Sequence, residues 1–305
     1  MIIEQRIIPH LWFNDQALEA VRFYTRVFED SAIIHVTKLE DTPSGDCDLV
    51  VFTLSGYQCM AINGGPYFKP NPSISFFVNF DPSSDPHAKE HLDRLWDKLS
   101  EGGTILMQLG EYPFSSHYGW VQDAYGVSWQ LILTKNEGEP RPKIIPSLMF
   151  TNKVNGKAEE ACLFYQTVFK QSRMGEIARY PGGMDPNLEG SAMFLDFMLE
   201  GQWFAAMDSA YEHPFSFNEG ISLMIECESQ AEVDYYWQNL SSDAESEQCG
   251  WLKDRYGLSW QVTARKTDEM LFEGTQQQRN RMSKALLQMK KIDIAELEKA
   301  FVNQE

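Results

Sequence analysis

The sequence lacks several features that would reveal a partner or a compartment directly. No stretch approaches the roughly 20 consecutive apolar residues of a membrane-spanning helix, and the first residues show neither the apolar core nor the cleavage site of a secretory leader. Positive charge is scarce, because 26 Lys and Arg face 44 Asp and Glu, for a formal net charge of −18. Since nucleic acids and anionic membranes are held by clustered cations, we expect neither as a partner.

Paired cysteines and nucleotide-binding loops are missing as well. The cysteines are odd in number and include no CxxC pair, which favours reduced thiols in the cytoplasm over a disulfide framework or a zinc knuckle. They are Cys47, Cys59, Cys162, Cys227 and Cys249. The chain contains no GxGxxG, P-loop, GxSxG or HExxH motif. It therefore lacks the Gly-rich turn with which a Rossmann-type methyltransferase would hold S-adenosylmethionine.

A long internal repeat organises what is present. Three blocks occur twice in the same order, and the last pair, GWVQDAYGVSWQ and GWLKDRYGLSWQ, is identical at eight of twelve positions. The blocks and their copies are 7–13 and 144–150, 17–28 and 158–169, and 119–130 and 250–261. The spacing is far longer than that of a solenoid, so a whole domain is duplicated. The charged segment 136–143, NEGEPRPK, is the predicted linker between the copies.

Each copy predicts the order β-α-β-β-β twice. In the first copy a strand at 7–13 precedes a helix whose apolar residues fall on one stripe. Asn14 or Asp15 is the expected cap of that helix, and three strands follow it. Residues 267–305 lie outside the repeat and predict two helices, with Asp293 and Glu296 opening the second.

Several segments resemble the PhnB-like branch of the vicinal-oxygen-chelate (glyoxalase/bleomycin resistance/dioxygenase) superfamily, also labelled 3-demethylubiquinone-9 3-methyltransferase-like. They are HLWFNDQALEAVRFYTRVF, AINGGP and DAYGVSWQLI in copy one, and AEEACLFYQTVF and CGWLKDRYGLSWQV in copy two. The resemblance covers about residues 5–266. It implies an α+β fold of tandem glyoxalase-like domains, each of two βαβββ modules forming a cupped mixed sheet. We expect these domains at 1–135 and 143–266, followed by a helical tail at 267–305.

The resemblance also implies positions for a metal. In related enzymes the cup holds a divalent metal, bound by the first and last strands of each module, that polarises a substrate with adjacent oxygens. The matching positions are His10, Asn63, Ser75 and Gln130 in copy one and Ser147, Asp208, Ser222 and Gln261 in copy two. Catalytic transition-metal sites normally carry two or three His or carboxylate ligands. We therefore expect no full metal site, and a divalent metal at His10 remains the alternative.

Other candidate residues have structural readings beside functional ones. His10 could be a base, a ligand or a hydrogen-bonded wall of the cup. Trp129 and Trp260 could floor the cups or belong to the core. His87 and His91 stand at i, i+4 on a helix, but the charges around them indicate a solvated face rather than a metal pair. The repeated Asp-x-Tyr-Gly is explained by turn chemistry, and segment 63–66, Asn-Gly-Gly-Pro, is expected at the rim of the pocket.

Three functions remain open from sequence. The first is a small-molecule-binding protein, or an enzyme of unassigned substrate, in which aromatic walls enclose an apolar or planar ligand. The second is a metal-dependent glyoxalase- or dioxygenase-type enzyme, and the third is methyl transfer. The candidate ligand-binding residues are His10, Trp12, Asn63, Ser75, Trp129, Gln130, Asp208, Ser222, Trp260 and Gln261. The chain could form a homodimer, or act as a monomer because its two copies mimic one.

Overall fold

The computed structural model describes residues 5–42, 44–135 and 139–302. In this part of the chain four successive modules precede a C-terminal tail. The first module contains β1 (Ile7–Phe13), α1 (Ala17–Val27), β2 (Ala32–Thr42), β3 (Gly45–Leu54) and β4 (Tyr57–Asn63). The second contains β5 (Ile74–Phe80), α2 (Ala88–Ser100), β6 (Thr104–Tyr112), β7 (Ser115–Gln122) and β8 (Ser128–Leu133).

The second copy of the repeat follows the same plan with one difference. The third module contains β9 (Ile144–Thr151), α3 (Ala158–Val168), β10 (Arg173–Arg179), β11 (Ala192–Leu199) and β12 (Gln202–Ser209). The fourth contains β13 (Ile221–Cys227), α4 (Gln230–Leu240), β14 (Trp251–Lys253) and β15 (Ser259–Ala264). It therefore has two strands after its helix where the other modules have three.

Up to residue 302, where the description ends, the tail forms three helices rather than the two predicted. These are α5 (Arg265–Glu273), α6 (Gln276–Leu286) and α7 (Ile294–Val302). The extra helix, α5, continues directly from β15 and was hidden because it begins before the end of the repeat. The predicted opening of the last helix is confirmed, since the Glu296 N–H donates to Asp293 Oδ1 at 3.1 Å.

The strands form two mixed sheets. Sheet 1 has the order β14-β15-β13-β1-β4-β3-β2, and sheet 2 has the order β10-β11-β12-β9-β5-β8-β7-β6. The predicted α+β class is confirmed. Each sheet, however, takes one module from each copy of the repeat. The antiparallel pair β1–β13 joins the first module to the fourth, and the antiparallel pair β5–β9 joins the second to the third.

Strand alternation separates a helix-facing side of each sheet from an open side. In β1 the odd-numbered residues Ile7, Leu11 and Phe13 belong to the main apolar core with Tyr24 of α1, whereas Ile8 belongs to a separate cluster on the opposite face. Successive side chains in a strand point to opposite faces. His10 and Trp12 therefore share the open face with Ile8. Each large apolar side chain fully buried in the main core contributes roughly 1.5–3 kcal/mol.

The segment predicted as the linker is described only from Glu139 onward, and residues 136–138 lie outside the described residues. Arg141 places its guanidinium 3.7 Å from the centroid of the Trp203 ring, and its Nε donates to Asp196 at 2.7 Å. These contacts hold the end of the segment against the open face of sheet 2.

Candidate functional site

The open face of sheet 1 is named cup 1, and the open face of sheet 2 is named cup 2. In cup 1, His10 of β1 lies opposite Ser222 of β13. On the next strand Leu223 pairs with Trp260, which sets Ser259 beside Ser222. Gln261, two residues further along β15, donates from Nε2 to Ser222 Oγ at 2.9 Å. These four uncharged side chains, His10, Ser222, Ser259 and Gln261, are named the polar row.

His10 is the most unusual member of the polar row. Its side chain is 3% exposed, and its Nδ1 has no hydrogen-bond partner among the described residues. Burial lowers the pKa of His10 to about 4. The imidazole is therefore neutral at neutral pH, with one ring nitrogen donating and the other accepting. An unpaired polar atom at this depth costs about 1–3 kcal/mol.

Two further polar atoms near the row have no partner among the residues described. They are Ser259 Oγ and Glu219 Oε2, both buried. The other oxygen of Glu219 accepts from Lys253 Nζ at 2.8 Å, and Lys253 pairs with Ser259 across β14 and β15. The polar row thus ends at an ion pair in which the second oxygen of the Glu219 carboxylate can still accept a hydrogen bond.

Aromatic rings enclose the polar row. The Trp251 ring meets His10 edge-on at 5.8 Å and Trp12 at 5.9 Å between centroids. Trp12 Nε1 donates to the Gly65 carbonyl at 2.9 Å, which fixes its orientation. A Cβ at Gly64 would lie 2.2 Å from the Trp12 ring, so a glycine is required there. Segment 63–66, which was predicted at the rim of the pocket, thus packs against Trp12, a side chain of cup 1.

The other end of cup 1 is filled by the tail. Phe272 of α5 packs against the apolar cluster that contains Ile8, Met60 and Met224. Its ring also stacks on His35 of β2 at 5.1 Å between centroids. Helix α5 contacts both β15 and β2, which lie far apart in the strand order. Sheet 1 therefore curls around α5, and the part of the cup outside this plug is the part lined by the polar row.

Cup 2 has polar side chains at the equivalent positions, but most of them hydrogen-bond to one another. Tyr118 donates to Gln130 Oε1 at 2.6 Å, and Gln130 Nε2 donates to Ser75 Oγ at 2.8 Å. Ser147 lies opposite Ser75, and its Oγ is buried without a partner among the described residues. The sequence grouped Ser75 and Gln130 with His10, but the two sheets place them in different cups.

Asn63 and Asp208 do not line a cup. Both lie at helix-facing positions of a last strand, where their side chains cap helices. Asn63 Oδ1 accepts from the first N–H of α1 at 2.7 Å, a role that we expected from Asn14 or Asp15. The Asp208 carboxylate accepts from the N–H groups of Gly156, Ala158 and Ala192. Their register, one residue away from the open face, explains why they were assigned to the site.

Trp129 and Trp260 are also core residues rather than cup floors. Each is at most 1% exposed. Trp129 Nε1 donates to Asp123 at 2.8 Å, and Trp260 Nε1 donates to Asp254 at 2.9 Å. The same carboxylates accept backbone N–H groups of their own turns. The repeated Asp-x-Tyr-Gly therefore ties each hairpin turn to the helix-facing core.

The side chains of the polar row do not fit a catalytic metal. His10 is the one strong ligand in the row, and its neighbours offer a hydroxyl and an amide, which bind transition metals poorly. The carboxylate at the end of the row, Glu219, forms an ion pair with Lys253. Across residues 5–42, 44–135 and 139–302, no group of three or more His, Cys, Asp or Glu side chains could hold a metal ion.

Two regions of the chain match one family model, described as 3-demethylubiquinone-9 3-methyltransferase. The matched residues are 5–132 and 142–263, one match for each copy of the repeat. The chain belongs to this family. It is a tandem member of the PhnB-like branch, with one match to the family in each copy of the repeat. The methyltransferase label is the name of the family and does not describe a site seen in cup 1.

Solved structures of similar proteins include single-copy and longer forms. A PhnB protein from Bacillus cereus is 36% identical, with 43% of this chain and 100% of that chain covered and a TM-score of 0.38. Glyoxalase I from Zea mays is 12% identical, with 84% of this chain and 92% of that chain covered and a TM-score of 0.48. A comparison with curated proteins gives no match. Among the described residues, no helix has the length and apolar character needed to span a membrane.

Sequence reasoning found part of the polar row and missed the rest. His10, Trp12, Ser222 and Gln261 were candidates, and the structure brings them together. Ser259, Trp251 and the Lys253–Glu219 pair were not candidates. The alternation in Ser-Trp-Gln at 259–261 could have revealed Ser259, because it must share a face with Gln261 and oppose Trp260.

Proposed function

We propose that this protein binds a small, neutral, aromatic molecule in cup 1, between the polar row and the rings of Trp12 and Trp251. The observation that carries the proposal is the buried, unpaired Nδ1 of His10. Unpaired polar atoms are rare in folded proteins and each needs an explanation. In cup 1 the unpaired atoms are His10 Nδ1 and Ser259 Oγ, beside aromatic walls, whereas in cup 2 the unpaired atom is Ser147 Oγ and the Gln130 amide is paired on both sides.

The chemistry of the row indicates a neutral ligand. His10 is neutral, Ser259 and Gln261 carry no charge, and the charges of Lys253 and Glu219 neutralise each other. A charged ligand placed here would lose its hydration without meeting an opposite charge, which is unfavourable. A ligand with one donor and one acceptor could satisfy His10 and Ser259 together.

The walls indicate an aromatic ligand. Trp12, Trp251 and Phe68 present ring edges and faces at the open end of the row. Aromatic pairs gain about 0.5–1.5 kcal/mol beyond their buried area. Trp12 and Trp251 are partly exposed, so the ligand would enter between them and cover them.

Binding rather than proton transfer is the activity that His10 supports. A general base works best with a pKa near the working pH, and the pKa of His10 lies at about 4. Any reaction of the bound molecule would therefore need a change in the environment of His10 or another group. Cup 2, with its paired Gln130, would serve as structural support.

The cross-copy pairing of modules also bears on assembly. Both joints that complete the sheets lie within one chain, so we propose that a monomer is sufficient for the site. All five cysteines are free thiols, which supports the reducing cytoplasm as the compartment.

Tryptophan fluorescence titration tests the proposal with 4-hydroxybenzamide, a neutral aromatic with one hydroxyl and one amide. Wild-type protein is expected to show saturable quenching, and Trp251→Phe is expected to reduce its amplitude. His10→Leu should weaken binding at least tenfold. The matched control is Ser147→Ala, which removes the equivalent unpaired atom from cup 2 and should leave binding unchanged. Equal binding by wild type and His10→Leu would refute the assignment of the site.

A further inference from the structure

A second crevice, separate from both cups, lies on the helix side of the molecule. It has a volume of about 840 Å³ and is lined by residues of α1, α2 and the segment that joins the two copies. Its apolar wall includes Phe23, Phe28 and Phe80, and its floor includes Lys143. This volume lies within the range of small-molecule sites, about 300–1,000 Å³.

Lys143 is an amine that packs on an aromatic ring. Its Nζ lies 3.2 Å from the centroid of the Phe80 ring, and among the described residues it forms no hydrogen bond or ion pair. The Pro142 and Lys143 carbonyls accept from the side-chain and backbone N–H groups of Asn79, so the backbone that carries the amine is held against β5. Burial lowers the pKa of Lys143 to about 8, although Glu29 and Asp85 act against this shift.

A proton-transfer pair lines the same crevice. His91 Nδ1 hydrogen-bonds Asp85 Oδ2 at 2.6 Å, which leaves Nε2 as the ring nitrogen available for proton transfer. Asp85 also accepts from the His87 N–H at 2.9 Å. The pair is therefore fixed at the start of α2. The sequence predicted a solvated face for His91, but its ring has a specific partner in Asp85.

We propose that this crevice is a carbonyl-binding site in which Lys143 forms a reversible imine with a small, neutral, aromatic aldehyde or ketone. The neutral amine adds to the carbonyl carbon to give a carbinolamine. His91 Nε2 then accepts the N–H proton of the carbinolamine and passes it to the hydroxyl, which leaves as water as the C–O bond breaks and the C=N bond forms. Desolvated lysines with aromatic neighbours are suited to such chemistry.

The charges at the rim support a neutral carbonyl over an anionic one. Three cations other than Lys143 line the crevice, namely Arg26, Arg94 and Lys98, and they face five carboxylates. An anionic aldehyde would meet more negative than positive groups. The aromatic wall at Phe23, Phe28 and Phe80 suits an aromatic ring beside the carbonyl.

Reductive trapping tests this site directly on the intact chain. Protein is incubated with benzaldehyde and sodium cyanoborohydride at neutral pH, and the modified lysines are located by peptide mapping. We expect Lys143 to be labelled at least about tenfold faster than Lys98, an exposed lysine on the same crevice, because a lower pKa leaves more neutral amine. The rate at Lys143 should rise with pH around 8.

Matched variants separate the roles. Lys143→Arg keeps a cation on Phe80 and should remove the fast label, whereas Lys98→Arg should keep it. His91→Gln should slow trapping at Lys143 by about tenfold without moving the label. His10→Leu should have no effect, so the crevice and cup 1 are tested independently. Even labelling across lysines, or fast labelling that survives Lys143→Arg, would overturn the site, and an unchanged rate in His91→Gln would overturn the proton-transfer role.

Discussion

His10 and Ser222 lie directly opposite each other across the antiparallel joint between β1 and β13. This joint connects the first module of the chain to the last, so the centre of cup 1 is assembled from residues more than 200 positions apart in sequence. The polar row exists only when the two copies of the repeat pair across each other. Binding in cup 1 and correct pairing of the copies are therefore linked.

Replacing His10 with leucine should stabilise the fold. His10→Leu removes a buried nitrogen that has no partner and fills similar space, so we expect the free energy of unfolding to rise by about 1–2 kcal/mol. Urea denaturation measures the change. The control is His117→Leu, which breaks the hydrogen bond between His117 Nε2 and Asp93 and should not stabilise the protein. A loss of stability in His10→Leu would mean that His10 is structurally paired.

Stability should also depend on pH through His10. Its pKa is about 4 in the fold and about 6.5 when unfolded, so below pH 6.5 the unfolded chain binds a proton that the folded chain does not. The stability contributed by neutral His10 is present above pH 6.5 and is lost as pH falls through 4, by roughly 3 kcal/mol in total.

Urea denaturation of wild type and His10→Leu between pH 7 and pH 4 isolates this effect. The difference in stability between the two proteins should grow in favour of the variant as pH falls. Burial raises the pKa of Asp123 to about 6, which acts in the opposite direction but is common to both proteins. A constant difference over this pH range would contradict the burial of a neutral His10.

Replacing Asp208 or Asn63 should lower the stability of the fold and leave ligand binding unchanged. Asp208→Ala removes an acceptor of three N–H groups and Asn63→Ala removes an acceptor of one. We expect losses of about 2 kcal/mol and about 1 kcal/mol respectively. Thermal unfolding and the fluorescence titration should be run on both variants. A loss of affinity for 4-hydroxybenzamide in a variant that remains folded would show that these residues belong to the binding site.

A metal site should appear in cup 1 if its missing ligands are supplied. The double variant Ser222→His with Gln261→Glu adds an imidazole opposite His10 and a carboxylate beside it. We expect this variant to bind one equivalent of Zn²⁺ in calorimetry, as the ligand preferences of zinc imply. Ser75→His with Gln130→Glu in cup 2 is the matched control, because Ser147 occupies the place of His10 there, and it should bind weakly. Equal metal binding by wild type would show that the existing row is sufficient.

The repeat, the βαβββ order and the α+β class could be predicted because they depend on local pattern and on matched blocks. The partners of the modules could not be predicted. Strands β1, β5, β9 and β13 are all largely buried on both faces, so their sequences do not specify which of them meet. That choice is made by contacts between distant segments.

The register of single strands limited the prediction of the site. Because side chains alternate with a period of two, a shift by one residue exchanges the open face for the core. The sequence assigned Asn63 and Asp208 to the site. In the structure the open-face positions of these strands are Ile62 and Met207, one residue earlier. His10 lies on the open face, and its strand has a close match in the second copy, with Ser147 at the same position.

Native mass spectrometry, with 4-hydroxybenzamide supplied to wild type, His10→Leu and Ser147→Ala, tests whether the ligand binds on the polar row of cup 1. Binding on the polar row predicts a complex of one ligand with one chain for wild type and for Ser147→Ala, and none for His10→Leu at the same concentration. Equal occupancy in all three proteins, or a complex lost in Ser147→Ala alone, would contradict the placement of the ligand on the polar row of cup 1.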